Sequence, residues 1–374
     1  MKTTMSRRTF VMGACGLLCT GSALLSGCGT GNGGVSKAAG FKTVTDMGST
    51  QKSVPSQISR VFCTNPIGSA NLCCLAPKTM VGWNFKPTAA KGYIADEYLS
   101  LPSLGVWMGA GNTPNPEEIA QQDPDVLLCF WTADDAGRSM VEEIESQTSM
   151  TTLLVDYSLP ALPESYRFLG SLLGCEKRAE KLARYCEDML RTIEDVAAKV
   201  PQGKRASIYL AQSTGGLSTD PVGSMHVTDA LELCGVDNVA DLPGTVGQGM
   251  GMPTVNIEQI IEWNPTAVLV SEYVMGDSQT SDLYSEILAS DDWRNVGAVR
   301  KKRVYGIPQA PFSWFGRPPS TMRLLGCLML QKLLYPQLTQ DIDIRREAKS
   351  FFKLFFDCDV TRKQLDELLA HTGL

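Results

Sequence analysis

Histidine is nearly missing from this sequence. Among 374 residues only His226 and His371 occur, far apart, and no HExxH or CxxC spacing accompanies them, which excludes a preformed zinc centre of the usual ligand sets. No GxSxG elbow and no paired-cysteine redox motif is present, so the commonest hydrolase and oxidoreductase signatures are absent too. Basic residues are outnumbered, 34 against 40 acids for a net charge of −6, and they form no stripe; this excludes nucleic acid as a partner. Long apolar runs are confined to one place, Phe10 to Leu25, too short and too rich in small residues for a comfortable membrane span. What remains is an ordinary globular composition, 43% hydrophobic, long enough to bury two cores.

The apolar run is informative through its flanks. In "MSRRTFVMGACGLLCTGSALLSGCG", Arg7 and Arg8 precede it, as in a twin-arginine export signal, and "LLSGC" resembles a bacterial lipobox that would place lipid on Cys28. Residues 1–27 are read as this signal and residues 28–42, with "GTGNGGVSKAAG" following Cys28, as a flexible tether. The body then sits on the extracytoplasmic face of the cell membrane, periplasmic where an outer membrane exists. Cysteine usage fits a reducing or anaerobic habitat: of 12 cysteines, Cys15 and Cys19 leave with the signal and Cys28 takes lipid, so nine remain and cannot all pair. Most stand among apolar neighbours as small buried hydrophobes, with Cys175 and Cys186 the one pair to consider for a disulfide.

The body carries a repeat. "PNPEEIAQQDPDVLL" returns as "TVNIEQIIEWNPTAVLV" at an offset that sets Asn115 on Asn256, Glu117 on Glu258, Ile119 on Ile260 and Pro124 on Pro265. Each copy reads as an Asn-capped short helix, a proline stop and a buried strand, because Asn satisfies orphan amides and Pro cannot continue the helix. Around the copies, "FKTVTDMGSTQKSVP" reads as a hairpin, and "SRVFCTNP", "TMVGWN", "SLGVWMG", "TTLLVDY", "RASIYLAQS" and "KRVYGIP" as strands alternating with helices. The fold class is α/β: two Rossmann-like lobes with mostly parallel sheets, residues 43–160 and 204–374, joined through residues 161–203. From about Glu164 to Val200 strong helix formers place Leu182, Tyr185, Met189, Ile193 and Val196 at helical spacing, read as one long rigid helix with a shorter one at its start. At ~30 residues such a helix runs ~45 Å, enough to bridge two lobes.

These pieces in this order, together with "ILASDDWRNVGAVRKKRVYGIP", "SWFGRPPSTMRLLGCLMLQKLLYP" and "FFKLFFDCDVT", resemble the helical-backbone class of ABC-importer substrate-binding proteins that serve iron–siderophore, haem and corrinoid uptake. The resemblance implies a binding protein and not an enzyme, monomeric, with no intrinsic cofactor. It would hold a small-molecule metal complex between its lobes and deliver it to an ABC permease dimer with its ATPase. It further implies one exposed glutamate per lobe for docking to the permease: Glu117 or Glu118 in the first, Glu258 in the second.

Strand ends of parallel α/β sheets face the ligand crevice. There the sequence sets Asn65, Trp83, Trp131 and Tyr273, with Trp107, Trp314 and Arg317 on adjoining loops and His226 at the start of a helix. The aromatics suit a large, flat or chelated ligand, and Arg317, stiffened by Pro318 and Pro319, suits an anionic oxygen. A molybdate or tungstate receptor of the same fold is the alternative, and an exported enzyme the weaker one.

Overall fold

Alternation over residues 41–55 produces the expected hairpin. In the computed structural model, which describes residues 40–107, 114–201, 203–245, 252–272 and 282–374, β1 (Phe41–Thr45) and β2 (Gln51–Pro55) pair antiparallel. Asp46 makes the turn and anchors it: its carboxylate accepts from Thr50 N–H (2.9 Å) and from Leu154 N–H (3.1 Å) on the first sheet. The export signal, Cys28 and Tyr273 lie outside the described residues.

The first lobe is a parallel sheet of β3 (Val61–Cys63), β4 (Val126–Trp131) and β5 (Thr152–Asp156), in that spatial order. Its helices are α1 (Pro66–Leu75), α2 (Asp96–Leu99), α3 (Pro116–Gln121) and α4 (Asp135–Thr148). "TMVGWN" and "SLGVWMG", expected as strands, make only isolated bridges, Val61 to Met80 and Trp83 to Ser103. Pro77, Pro87 and Pro102 bracket these segments, and a residue without an N–H cannot extend a ladder.

The long helical stretch is divided. α5 (Leu162–Leu173) ends at Gly174, whose φ of 68° supplies the left-handed cap, and α6 (Glu176–Ala198) begins just beyond. α5 folds back along α6, so closely that a Cβ on Gly170 would lie 2.3 Å from Ala179 Cβ, and Arg167 binds Glu180 (2.9 Å) and Glu187 (2.7 Å) across the pair. The strut is therefore α6 alone, 23 residues or about 34 Å. Cys175 and Cys186 stand 11 positions apart at its start, about 16 Å by helical rise, which is beyond disulfide reach; both are free thiols, as are the other seven described cysteines. Arg178, on the first turn of α6, donates to Cys74 and Leu75 carbonyls at the end of α1 (2.6 and 2.9 Å) and to Leu354 and Phe355 carbonyls late in the chain (3.3 and 3.2 Å). One guanidinium thus satisfies helix-end acceptors from both halves of the sequence.

The second lobe orders its parallel strands β7 (Val236–Asn238), β6 (Ala206–Gln212), β8 (Ala267–Ser271) and β9 (Val304–Gly306). Its helices are α7 (Thr228–Cys234), α8 (Ile257–Trp263), α9 (Leu283–Ala289), α10 (Gly297–Arg300), α11 (Arg323–Leu334), α12 (Ile344–Phe356) and α13 (Arg362–Leu368). The sequence repeat is structural. Asn115 and Asn256 cap α3 and α8, and Asp123 (φ 46°) and Asn264 (φ 45°) take the same left-handed turn before Pro124 and Pro265, ahead of β4 and β8.

A single apolar core runs through both lobes, taking in α1, α5, α6, α11 and α12, with a satellite cluster for each sheet. Among the described residues no helix is long and apolar enough to cross a membrane.

Candidate functional site

The site grows from the loop between β9 and α11, "PQAPFSWFGRPPST". It contains two cis peptides, Ala310–Pro311 and Arg317–Pro318, and it is held down by its aromatics. Phe312 meets Trp83 of the first lobe at 6.1 Å between ring centres, and Trp314 meets Phe352 at 6.4 Å. Helix α11 can approach this loop because Gly326 has no side chain: a Cβ there would fall 1.8 Å from Trp314 O. Gly326→Ala must push helix and loop apart, so it is expected to cost about 1–3 kcal/mol in a denaturant titration; wild-type stability would contradict this packing.

Arg317 emerges from the loop to fork onto Asp220, Nε to Oδ2 at 3.1 Å and Nη2 to Oδ1 at 2.7 Å. Asp220 has no solvent exposure, and its Oδ1 also accepts from Ser224 Oγ at 2.7 Å. Burial pushes the Asp220 carboxyl up, but His226 and Arg317 beside it outweigh burial, and the net direction is down. The charge pair is therefore ionised and internally neutral.

His226 lies against this pair, 4% exposed. Burial drives its pKa down to about 4, opposed by Asp220 and helped by Arg317 and Arg323, so the ring is neutral at physiological pH. Neither ring nitrogen has a hydrogen-bond partner. The same holds for Thr219 Oγ1, Thr228 Oγ1, both amide atoms of Gln212 and Arg323 Nε, all buried. These groups share a neighbourhood. Gln212 ends β6, and its backbone pairs with Ser218 beside Thr219 and Asp220; Thr228 opens α7 two residues after His226. Arg323 opens α11, pairs with Asp229 and donates to Tyr157 O (3.0 Å) at the end of β5. Tyr157 Oη in turn donates to Met225 O (2.9 Å). The cluster therefore sits where the strand ends of the first lobe meet residues 219–229 of the second. Buried polar groups left without partners are costly. His226 and Arg323 lie beside the Arg317–Asp220 pair, Thr219 and Thr228 are close to it in sequence, and together with Gln212 the set holds hydroxyl, amide, imidazole and guanidinium donors alongside the Gln212 Oε1 and imidazole acceptors. Its donors are of the kind that bind a compact anion.

Of the aromatics proposed for the crevice, Tyr273 lies outside the described residues and the others are placed as follows. Trp314 is fully buried, with Nε1 donating to Ala310 O (3.1 Å); Trp83 is 2% exposed, donating to Tyr98 O (2.8 Å). Both are core. The Asn65 side chain is consumed in capping α1 at Gly68 N–H and in donating to Phe130 O. Trp107 and Trp131 remain half-buried against the first lobe's satellite cluster, with Trp107 Nε1 on Gln147 Oε1 (2.8 Å). Glu117, Glu118 and Glu258 are exposed in the first turns of α3 and α8. Asp220, Gln212, Thr219, Thr228 and Arg323 were not among the expected residues. Only Arg323 left a trace in sequence, as a lone charge in the otherwise apolar run that begins α11.

Residues 80–311 of this two-lobed α/β chain match the profile described as "Periplasmic binding protein". The chain belongs to that family, whose members among its relatives are binding proteins and not enzymes. Over 196 residues it is 26% identical to the molybdate-binding protein MolA of Haemophilus influenzae, an alignment covering 52% of this chain and about half (51%) of MolA. Over 228 residues it is 23% identical to the high-affinity heme uptake system protein IsdE of Staphylococcus aureus, covering 61% and 73% of the two chains. An ABC transporter solute binding protein from Sulfurospirillum deleyianum superposes with a TM-score of 0.76 at 26% identity, covering 88% of this chain and 99% of that one. Molybdate-bound MolA superposes at 0.66 and 21%, covering 86% and 99%.

Proposed function

We propose that this protein is the extracytoplasmic solute-binding component of an ABC importer, held to the membrane by lipid on Cys28, and that its solute is a compact tetrahedral oxyanion of the molybdate type. The observation that carries this reading is the buried group of unpartnered donors around His226, Gln212, Thr219, Thr228 and Arg323. Neutral and charge-assisted donors fixed in a dry site suit a small dianion better than a bulky chelate. The match to MolA, a molybdate-binding protein, supports the same class. A chelate such as a siderophore complex, haem or a corrinoid is the second reading. It is favoured by the half-buried Trp107 and Trp131 near the strand ends of the first lobe and by the match to IsdE.

Calorimetric titration of the purified protein with molybdate, tungstate, hemin and a ferric siderophore, with metal analysis of freshly isolated material, separates the two. The oxyanion reading expects molybdate or tungstate to bind and molybdenum or tungsten to co-purify; binding of only the iron compounds would overturn it.

Glu117, Glu118 and Glu258 would face the permease, one helix per lobe. Exposed ion pairs contribute only about 0.2–1 kcal/mol each, so they orient docking more than they hold it. Changing all three to Lys is expected to abolish uptake by cells while solute affinity stays unchanged; retained uptake would remove these residues from docking. Cys28→Ser is expected to move the protein from the membrane fraction to the soluble one, and continued sedimentation with membranes would exclude the anchor.

A further inference from the structure

We propose that Asn71 is a positioning residue for the solute site: through Thr321 it fixes the loop that carries Arg317 onto the first lobe. The inference rests on the reading of Arg317 and its neighbours as the solute site. Asn71 lies in the middle of α1, 250 positions from Thr321, and both are buried, 2% and 0% exposed. Its Oδ1 accepts from Thr321 N–H at 3.0 Å and from Thr321 Oγ1 at 2.6 Å, while its Nδ2 donates to Ile67 O at 2.9 Å. A backbone N–H can only donate, so the Asn71 amide is held in one orientation. The Thr321 hydroxyl has a single proton, spent on Asn71, so it accepts from Tyr166 Oη at 2.5 Å. Three elements distant in sequence, α1, α5 and the loop before α11, are joined in one buried chain with every member satisfied.

Thr321 is four residues from Arg317, and Pro318 and Pro319 between them have fixed φ angles. A displacement of Thr321 is therefore passed to Arg317 with little absorbed on the way, and with it to the Asp220 carboxylate and the donors around His226. Phe312 on Trp83 is a further contact of the loop with the first lobe, and it is apolar and less directional. Among the described residues Asn71 makes no hydrogen bond to a donor group, so its effect on binding comes through the loop.

The test uses the full mature protein, with molybdate as the titrant, and four variants. Asn71→Ala and Thr321→Val are expected to weaken molybdate binding about tenfold, the scale of one lost buried hydrogen bond. In the free protein they are also expected to speed amide exchange in residues 312–317. Thr321→Ser keeps the hydroxyl and should restore both readouts. Tyr335→Phe loses a buried bond to Gly235 O at the far end of β6 and should lower stability without moving either readout. Folded Asn71→Ala and Thr321→Val proteins whose loop exchange matches wild type would overturn the proposal, whatever they bind. If wild-type protein does not bind molybdate yet the loop exchanges faster in both variants, the positioning role stands and the oxyanion reading falls.

Discussion

Arg317→Ala is expected to abolish solute binding and to destabilise the protein by about 3–5 kcal/mol, the cost of leaving a buried carboxylate without its countercharge. Asp220 cannot turn to solvent, since it has no exposure, and Ser224 Oγ alone cannot replace a two-pronged cation. Arg317→Lys keeps the charge but loses the fork, so an intermediate loss is expected. Removing both charges, as in Arg317→Met with Asp220→Leu, should recover much of the stability and none of the binding, which separates the two roles of the pair. Urea unfolding and calorimetric titration measure them; an Arg317→Ala protein as stable as wild type would mean that Asp220 is not buried as an ion.

Acidification provides the second large effect, through His226. Its folded pKa of about 4 lies below the 6.5 of an unperturbed imidazole, so the unfolded chain takes up a proton that the folded chain refuses. Stability is full above about pH 6.5 and is lost as pH falls toward 4, by up to roughly 3 kcal/mol from this residue. Asp220, Arg317 and Arg323 are the charged groups that face the ring. Asp220, whose pKa is depressed, acts in the same direction but below the ordinary carboxylate range. His226→Gln is expected to flatten the unfolding free energy between pH 4 and 6.5. An unchanged slope would show that the folded protein takes up the His226 proton as readily as the unfolded chain.

Much of the architecture was legible because the signals that set it are local. Asn115 and Asn256 cap helices wherever they stand, Pro124 and Pro265 end them, and the strands after them are continuous apolar runs. Gly174 and Gly235 end helices for the same reason, each in the left-handed conformation. The division of the connector at Gly174 was less clear, because residues on either side are all strong helix formers and only tertiary packing of α5 on α6 reveals the turn. The site was legible in part. Arg317 was proposed from its prolines and His226 from its position before a helix; the partner of Arg317 is 97 positions away, and nothing near Asp220 marks it as buried. Trp83 and Trp314 are buried, and composition cannot tell a tryptophan that fills a core from one that lines a cleft. The unpartnered polar groups are a property of the assembled interior: each is an ordinary polar residue in sequence, and only the fold buries it without a partner.

The most direct measurement is a crystal structure of the protein grown with molybdate, with anomalous data collected at the molybdenum edge. A single peak within hydrogen-bonding distance of the His226 ring and of the Thr219, Thr228 or Gln212 side chain, beside Arg317, is the predicted result. A peak elsewhere, or a chelate resting on Trp107 and Trp131 with the His226 cluster uninvolved, would contradict the account.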